Sequence, residues 1–184
     1  MFKFFSLLLA VLLLNQSYAK VQMLLYTKDG KQYILDEESK KENSILISKS
    51  FKYKNTTINI STIDSIRVND AVYRTIMYKN NIYMARLLFS GANEGYKIHY
   101  EAEKIILIKN SEKEEYIPIT KTNKVGAYNY LFPDCFKKDS NLYKIKSTIS
   151  DDDIVKEVTE KINCQNKQYI IYKKPLKLDV YIAG

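Results

Sequence analysis

The chain lacks tryptophan and contains a single histidine, His99. A zinc site built on several histidines is therefore excluded, and so is any catalytic triad that needs a second histidine. Glycine and proline are scarce, with 5 and 3 residues, which excludes collagen-like and linker-rich chains. Tyrosine, by contrast, occurs 16 times, and the 46% hydrophobic content of the 184 residues predicts one folded domain.

Residues 1–19 have the pattern of a secretory signal peptide. A positive charge at Lys3 precedes an uncharged apolar run from Phe4 to Leu14, and small residues at Ser17 and Ala19 form a cleavage pattern. The run is shorter than the roughly 20 residues that span a bilayer, which favours cleavage over a retained anchor. We expect an exported protein, either periplasmic, outer-membrane-associated or secreted.

Export changes the interpretation of the two cysteines, Cys135 and Cys164. Exposed free thiols are a liability in an oxidising compartment, so a disulfide between them is favoured over two separate buried thiols. A bond that closes the loop between them would contribute about 3–4 kcal/mol by loop-entropy reasoning.

Residues 21–120 are rich in Ile, Tyr, Thr, Leu and Val, in short runs broken by turn signals. One hairpin is predicted for residues 21–27 and 32–35, around Asp29-Gly30, and another for residues 71–78 and 82–89. A charged loop is predicted over residues 36–44. Further strands are predicted over residues 45–53, 57–60, 96–100, 105–108 and 116–120. This spacing indicates an antiparallel sheet, a sandwich or an open barrel.

The pattern changes to helical after Lys121, so the fold class is mainly β with C-terminal helices, an α+β fold. A helix is predicted over residues 123–132, ended by Pro133, and a stronger one over residues 150–163. Ser150 is the predicted N-cap, and the three acidic residues Asp151-Asp152-Asp153 suit the positive end of the helix dipole. A calcium site at these aspartates is the weaker interpretation, because the rest of an EF-hand loop is missing.

The last segment, residues 168–184, is predicted to be a strand-like tail that follows the main domain of residues 20–167. Leu176, Leu178, Val180 and Ile182 alternate with polar residues. We expect this tail to pack poorly on the domain and to contribute little to its stability.

No motif of cofactor, metal or nucleophilic chemistry is found in the chain, so no cofactor is expected. His99 lies in a strand pattern and is interpreted as an ordinary strand residue. Lys49, Lys52 and Lys54 interleave with aromatic residues, which would suit a single-stranded nucleic acid. Arginine is rare, however, and export separates the protein from most nucleic acid, so no nucleic-acid partner is expected.

Four stretches resemble a group of exported, β-rich proteins of Bacteroidota. These stretches are LLYTKDG at residues 24–30, LLFSG at 87–91, YLFPDC at 130–135 and INC at 162–164. The resemblance implies a signal peptide, an all-β region and a small helical region with two cysteines. In longer members an outer-membrane β-barrel often follows, and residues 176–184 look like its first strand.

We therefore expect a non-enzymatic domain of the envelope or cell surface with a binding or structural role. The alternatives are an adhesin-like module with a basic, tyrosine-rich face and a secreted hydrolase whose site the sequence does not reveal. The formal net charge of +8 favours an anionic lipid or polysaccharide, or an envelope protein, as partner.

Overall fold

The computed structural model describes residues 23–35, 42–110 and 112–173. The predicted signal peptide at residues 1–19, most of the charged loop at 36–44 and the alternating part of the tail after Lys173 lie outside these residues. The described part is mainly β, as predicted, with its helices near the C-terminus apart from one short helix close to the start.

Eleven strands are found in the described residues. They are β1 (Met23–Thr27), β2 (Gln32–Leu35), β3 (Ser50–Tyr53), β4 (Thr56–Asn59), β5 (Ile63–Val68), β6 (Ala71–Tyr78), β7 (Asn81–Gly91), β8 (Asn93–Tyr100), β9 (Glu103–Asn110), β10 (Glu115–Ile119) and β11 (Tyr169–Ile171).

Nine of these strands form one antiparallel sheet in the order β10-β9-β8-β7-β6-β5-β1-β2, with β11 attached to β7. β3 and β4 form a separate hairpin. The end strands β2 and β10 do not pair with each other in the described residues, so the sheet is open there. Tight turns connect most neighbours, because residues such as Lys79-Asn80 and Glu101-Ala102 adopt the left-handed backbone conformation that two-residue hairpin loops require.

One row of directly opposed residues crosses the sheet and defines the face that the helices cover. Residues opposite each other on paired strands lie on the same face. The row runs in register through Tyr33, Leu25, Ile66, Tyr73, Arg86, Lys97, Ile106 and Ile119. Two basic residues, Arg86 and Lys97, thus sit in the middle of an otherwise apolar row.

Two apolar cores lie on this face. The N-terminal core joins β1, β2, β5 and β6 to the β3–β4 hairpin, with Leu25, Phe51 and Ile66 among its most buried members. The C-terminal core joins β7, β9 and β10 to the C-terminal helices, with Ile108, Tyr128 and Ile154 fully buried.

The segment predicted as a strand over residues 45–53 is a strand only in its second half. Its start belongs to helix α1 (Glu42–Ile47), and β3 begins at Ser50. Ile45 and Leu46 are adjacent and both buried, which a strand covered on one face only does not allow. In a helix, Glu42, Ile45 and Leu46 share one face at the i, i+3, i+4 spacing, and this face turns toward the sheet.

The C-terminal helices are α2 (Lys124–Leu131), α3 (Pro133–Lys138) and α4 (Asp151–Lys156), with a short 3-10 turn at Ser140–Lys144. Pro133 follows the end of α2, as predicted, and also starts α3 at the position where proline is tolerated. Ser150 caps α4 by accepting a hydrogen bond from the Asp153 backbone N–H at 3.1 Å. The predicted helix continues as a π-helical turn, Glu157–Lys161.

The expectation that the tail packs poorly is wrong for its first residues. β11 pairs with β7, and the Tyr169 ring packs edge-on against Phe89 at 5.8 Å. The next backbone N–H, of Tyr172, donates to the Leu88 carbonyl at 3.0 Å. Gly91 permits this pairing, because a Cβ there would lie 2.5 Å from the carbonyl oxygen of Gln168.

Candidate functional site

The structure joins Cys135 and Cys164 in the disulfide that the sequence predicts, with 5.4 Å between their Cα atoms. This Cα separation lies in the usual range for a disulfide. Cys135 lies on α3, and Cys164 follows the π-helical turn, so the bond ties the end of the last helical segment to α3.

Beside the disulfide lies a small cavity of about 160 Å³, here called the amide pocket. Asn93 and Asn110, which oppose each other on β8 and β9, are both 8% exposed and line it. Tyr169 and Phe132 contribute aromatic rings, and Gln165 contributes a further amide. The pocket therefore combines buried amides with aromatic side chains, so it offers both hydrogen bonds and apolar contacts to a small molecule.

A second feature is the tyrosine–lysine cluster, formed by Tyr78, Tyr83, Tyr100, Lys49 and Lys79. The three rings contact one another with centroid separations of 5.6 to 6.5 Å. The exposed Lys79 Nζ lies 4.7 Å from the Tyr100 ring centroid and donates to the Tyr100 hydroxyl at 3.1 Å. Lys49 Nζ lies 5.3 Å from the centroid of Tyr83.

The lysines at 49, 52 and 54 do not form the single basic stripe that their spacing suggests. Phe51 between them is a core residue, 1% exposed. Lys49 contacts Tyr83, whereas Lys54 lies over the Tyr53 ring at 5.4 Å. Phe51 is thus turned into the core, and Lys49 and Lys54 contact different rings, so the three lysines do not share one aromatic surface.

Four charged side chains meet under α1 and α4, here called the charge cluster: Glu42, Arg86, Lys97 and Asp151. Arg86, with a side chain only 1% exposed, contacts Asp151 at 2.6 Å and Glu42 at 3.1 Å. Lys97 contacts the same two carboxylates at 2.9 and 3.3 Å. The two positive and two negative charges balance, as buried ions require.

A further buried pair is found in the C-terminal core. Lys124 Nζ lies 2.8 Å from Glu157 Oε2, and the side chains are 1% and 5% exposed. The Tyr128 hydroxyl donates to the same carboxylate at 2.9 Å. Burial, and then the Glu157 charge, raise the pKa of Tyr128, so this hydroxyl stays protonated.

The sequence pattern predicted Asp151 to be part of a helix start, with a calcium site as the weaker interpretation, and neither revealed the charge cluster. Asp152 and Asp153 are exposed, but Asp151 turns inward to Arg86 and Lys97. A basic residue in an otherwise apolar strand, as at Arg86, was the signal that could have revealed it. His99 lies on β8 opposite Lys104, an ordinary strand position as predicted.

Within the described ranges, no three side chains of His, Cys, Asp or Glu come together as a metal site would require. None of the helices in that part of the chain has the length and apolar composition needed to cross a bilayer. Comparisons of the chain with known protein families, curated proteins and solved structures gave no match.

Proposed function

We propose that the protein is an exported, non-enzymatic binding domain of the cell envelope that recognises an acidic polysaccharide. The observation that carries this proposal is the tyrosine–lysine cluster, in which exposed ammonium groups lie against aromatic rings. The charge of +8 and the resemblance to exported proteins support a partner of negative charge outside the cytoplasm.

The cluster offers two kinds of contact to one ligand. Each lysine ammonium lies within about 6 Å of a ring centroid, a cation–π arrangement that holds the charge in place. Because Lys79 donates to the Tyr100 oxygen, the hydroxyl hydrogen of Tyr100 can be donated to a ligand. Ammonium and hydroxyl donors suit carboxylate or sulfate groups, and the partly exposed Tyr83 and Tyr100 rings suit the apolar C–H face of a sugar.

The interior charges support a binding role over a catalytic one. Arg86, Lys97 and Lys124 each contact an acidic side chain at 3.3 Å or less. Arg86 and Lys97 link α1 and α4 to the sheet, and Lys124 links α2 to the π-helical turn, so their charge serves the scaffold. The lysines of the tyrosine–lysine cluster remain at the surface.

The proposal is tested by titrating the protein with polygalacturonate and with neutral dextran in a calorimeter. We expect binding to polygalacturonate only, and a roughly tenfold weakening in the Lys49→Gln/Lys79→Gln double variant, equivalent to about 1.4 kcal/mol. The matched control is Lys52→Gln, which removes an exposed lysine from β3 outside the cluster.

Three outcomes contradict the proposal. Equal affinity for dextran and polygalacturonate would show that the negative charge of the ligand is not recognised. Equal weakening by Lys52→Gln would show that binding depends on the total charge of the protein and not on the tyrosine–lysine cluster. Vesicles of anionic lipid provide the third arm. Binding to these vesicles without binding to polygalacturonate would assign the cluster to a membrane surface instead.

A further inference from the structure

The amide pocket has hydrogen-bonding groups that the fold itself leaves available. Asn110 Oδ1 accepts hydrogen bonds from the backbone N–H groups of Glu112 and Lys113 at 3.0 and 3.2 Å. This turn does not use the two hydrogens on Nδ2, which can therefore be donated to a ligand. Gln165 is exposed, and its side chain makes no hydrogen bond to another group in the described part of the chain. An amide both donates and accepts hydrogen bonds, and so does a hydroxyl group, so these side chains can pair with the hydroxyls of a ligand.

The pocket is held rigid on three sides. The Tyr169 ring is fixed against Phe89 at 5.8 Å, and the Phe132 ring packs edge-on against Tyr128 at 6.4 Å. The disulfide fixes the segment that carries Gln165. Such pre-organisation lowers the entropy lost when a ligand binds.

Charge and size narrow the class of ligand. Among the charged lining residues, the acidic Glu112 and Asp134 outnumber the basic Lys167, which favours a neutral ligand over an anion. Its volume of about 160 Å³ is below the range for drug-sized ligands and suits a single small ring.

We infer that the amide pocket binds one neutral sugar unit, with Asn110 and Gln165 bonding its hydroxyls and Tyr169 or Phe132 against its apolar face. This site is separate from the tyrosine–lysine cluster and does not depend on the function proposed above. A ligand of this size is expected to bind with a Kd on the order of millimolar.

The inference is tested by adding glucose, galactose or N-acetylglucosamine at tens of millimolar to the ¹⁵N-labelled protein. We expect at least one sugar to shift the amide signals of residues around the pocket in a saturable way. Asn110→Asp keeps the acceptor that the turn uses but removes the free donors, and should weaken binding at least fivefold. Gln165→Ala should weaken it about threefold, whereas Gln32→Ala, the matched control on β2, should not.

The inference is overturned if no sugar shifts these signals, or if both pocket variants bind as the unaltered protein does. It is also overturned if calcium chloride alone gives saturable shifts and the sugars give none, because the pocket would then be a cation site. The Lys49→Gln/Lys79→Gln variant should bind the sugar with the affinity of the unaltered protein. The sugar inference can therefore be wrong while the polysaccharide proposal is right, and the reverse also holds.

Discussion

The two cores on one face of the sheet are stabilised in different ways. The buried cluster of the N-terminal core consists of apolar side chains and Tyr73, gathered from residues 23–84. The C-terminal core rests on three helices of six to eight residues and contains a disulfide and a buried Lys124–Glu157 pair. Helices this short are not stable by themselves, so tertiary links must hold them.

The charge cluster lies where the two cores meet. Glu42 comes from α1, beside the N-terminal core, and Asp151 comes from α4, in the C-terminal core. Arg86 and Lys97 of the sheet contact both carboxylates. Apolar packing therefore suffices within hairpins, whereas the helices and the junction between the cores depend on specific polar and covalent links.

Disrupting the charge cluster between the two cores should give the largest loss of stability. Arg86→Met leaves two mostly buried carboxylates with only Lys97, and should lower the free energy of unfolding by about 3–5 kcal/mol. The matched control, Arg74→Met, removes an arginine that is 43% exposed and paired with Glu94, and should cost less than about 1 kcal/mol. Urea denaturation measures both, and equal losses would show that the cores are not joined through Arg86.

Removing the disulfide should destabilise the C-terminal core more than the N-terminal core. The Cys135→Ser/Cys164→Ser variant should lose about 2–5 kcal/mol, because the unfolded chain is no longer constrained. Hydrogen exchange should speed up mainly in α2, α3 and α4, with little change in β1 and β5. A uniform increase would mean that the two cores unfold as one unit.

Deletion of residues 168–184 tests whether β11 belongs to the C-terminal core. The loss of its pairing with β7 and of the Tyr169–Phe89 contact should lower the thermal midpoint by at least about 5 °C. Tyr169→Ala should reproduce part of this loss, whereas Ile170→Ala, at a side chain 63% exposed, should not. An unchanged midpoint would restore the expectation of a loosely packed tail.

A smaller change probes the N-terminal core. The Tyr73 hydroxyl is buried and has no hydrogen-bond partner among the described residues, and burial raises the pKa of this group. Tyr73→Phe should therefore be neutral or stabilise the protein by up to about 1 kcal/mol. Tyr96→Phe should instead destabilise it by about 1 kcal/mol, because that hydroxyl donates to Glu94 at 2.7 Å. A clear loss in Tyr73→Phe would reveal a water-mediated bond.

The smallest effect concerns pH and the first hairpin. Hydrogen bonds from Lys31 and Thr27 lower the pKa of Asp29 to about 2. Since the pKa is lower in the folded state, the turn is stabilised above the unfolded value near 3.8 and loses this contribution as pH falls toward 2. NMR titration of the carboxyl should show a midpoint near 2 that Lys31→Gln raises. A midpoint near 4 in the unaltered protein would contradict this.

Local signals predicted most of the β region because hairpins are built from neighbours in sequence. Asp29-Gly30 marked the first turn, and short runs of strand-forming residues broken by a turn signal marked β6 and β7. The disulfide prediction followed from the expected export and the even cysteine number, and the Ser150 cap followed from its spacing to Asp153. The helix at Glu42–Ile47 was missed because its apolar run also fits a strand that continues into β3.

The β-rich class, the turns, the helix cap and the pairing of the cysteines could be predicted from the sequence, since each depends on residues close in the chain or on the scarcity of alternatives. The meeting of Arg86, Lys97, Glu42 and Asp151, and the pocket lined by Asn93, Asn110 and Gln165, became visible only in the folded chain. These groups come from strands and helices far apart in sequence. The register of the sheet and the packing of helices upon it bring them together, and no local pattern encodes such distances.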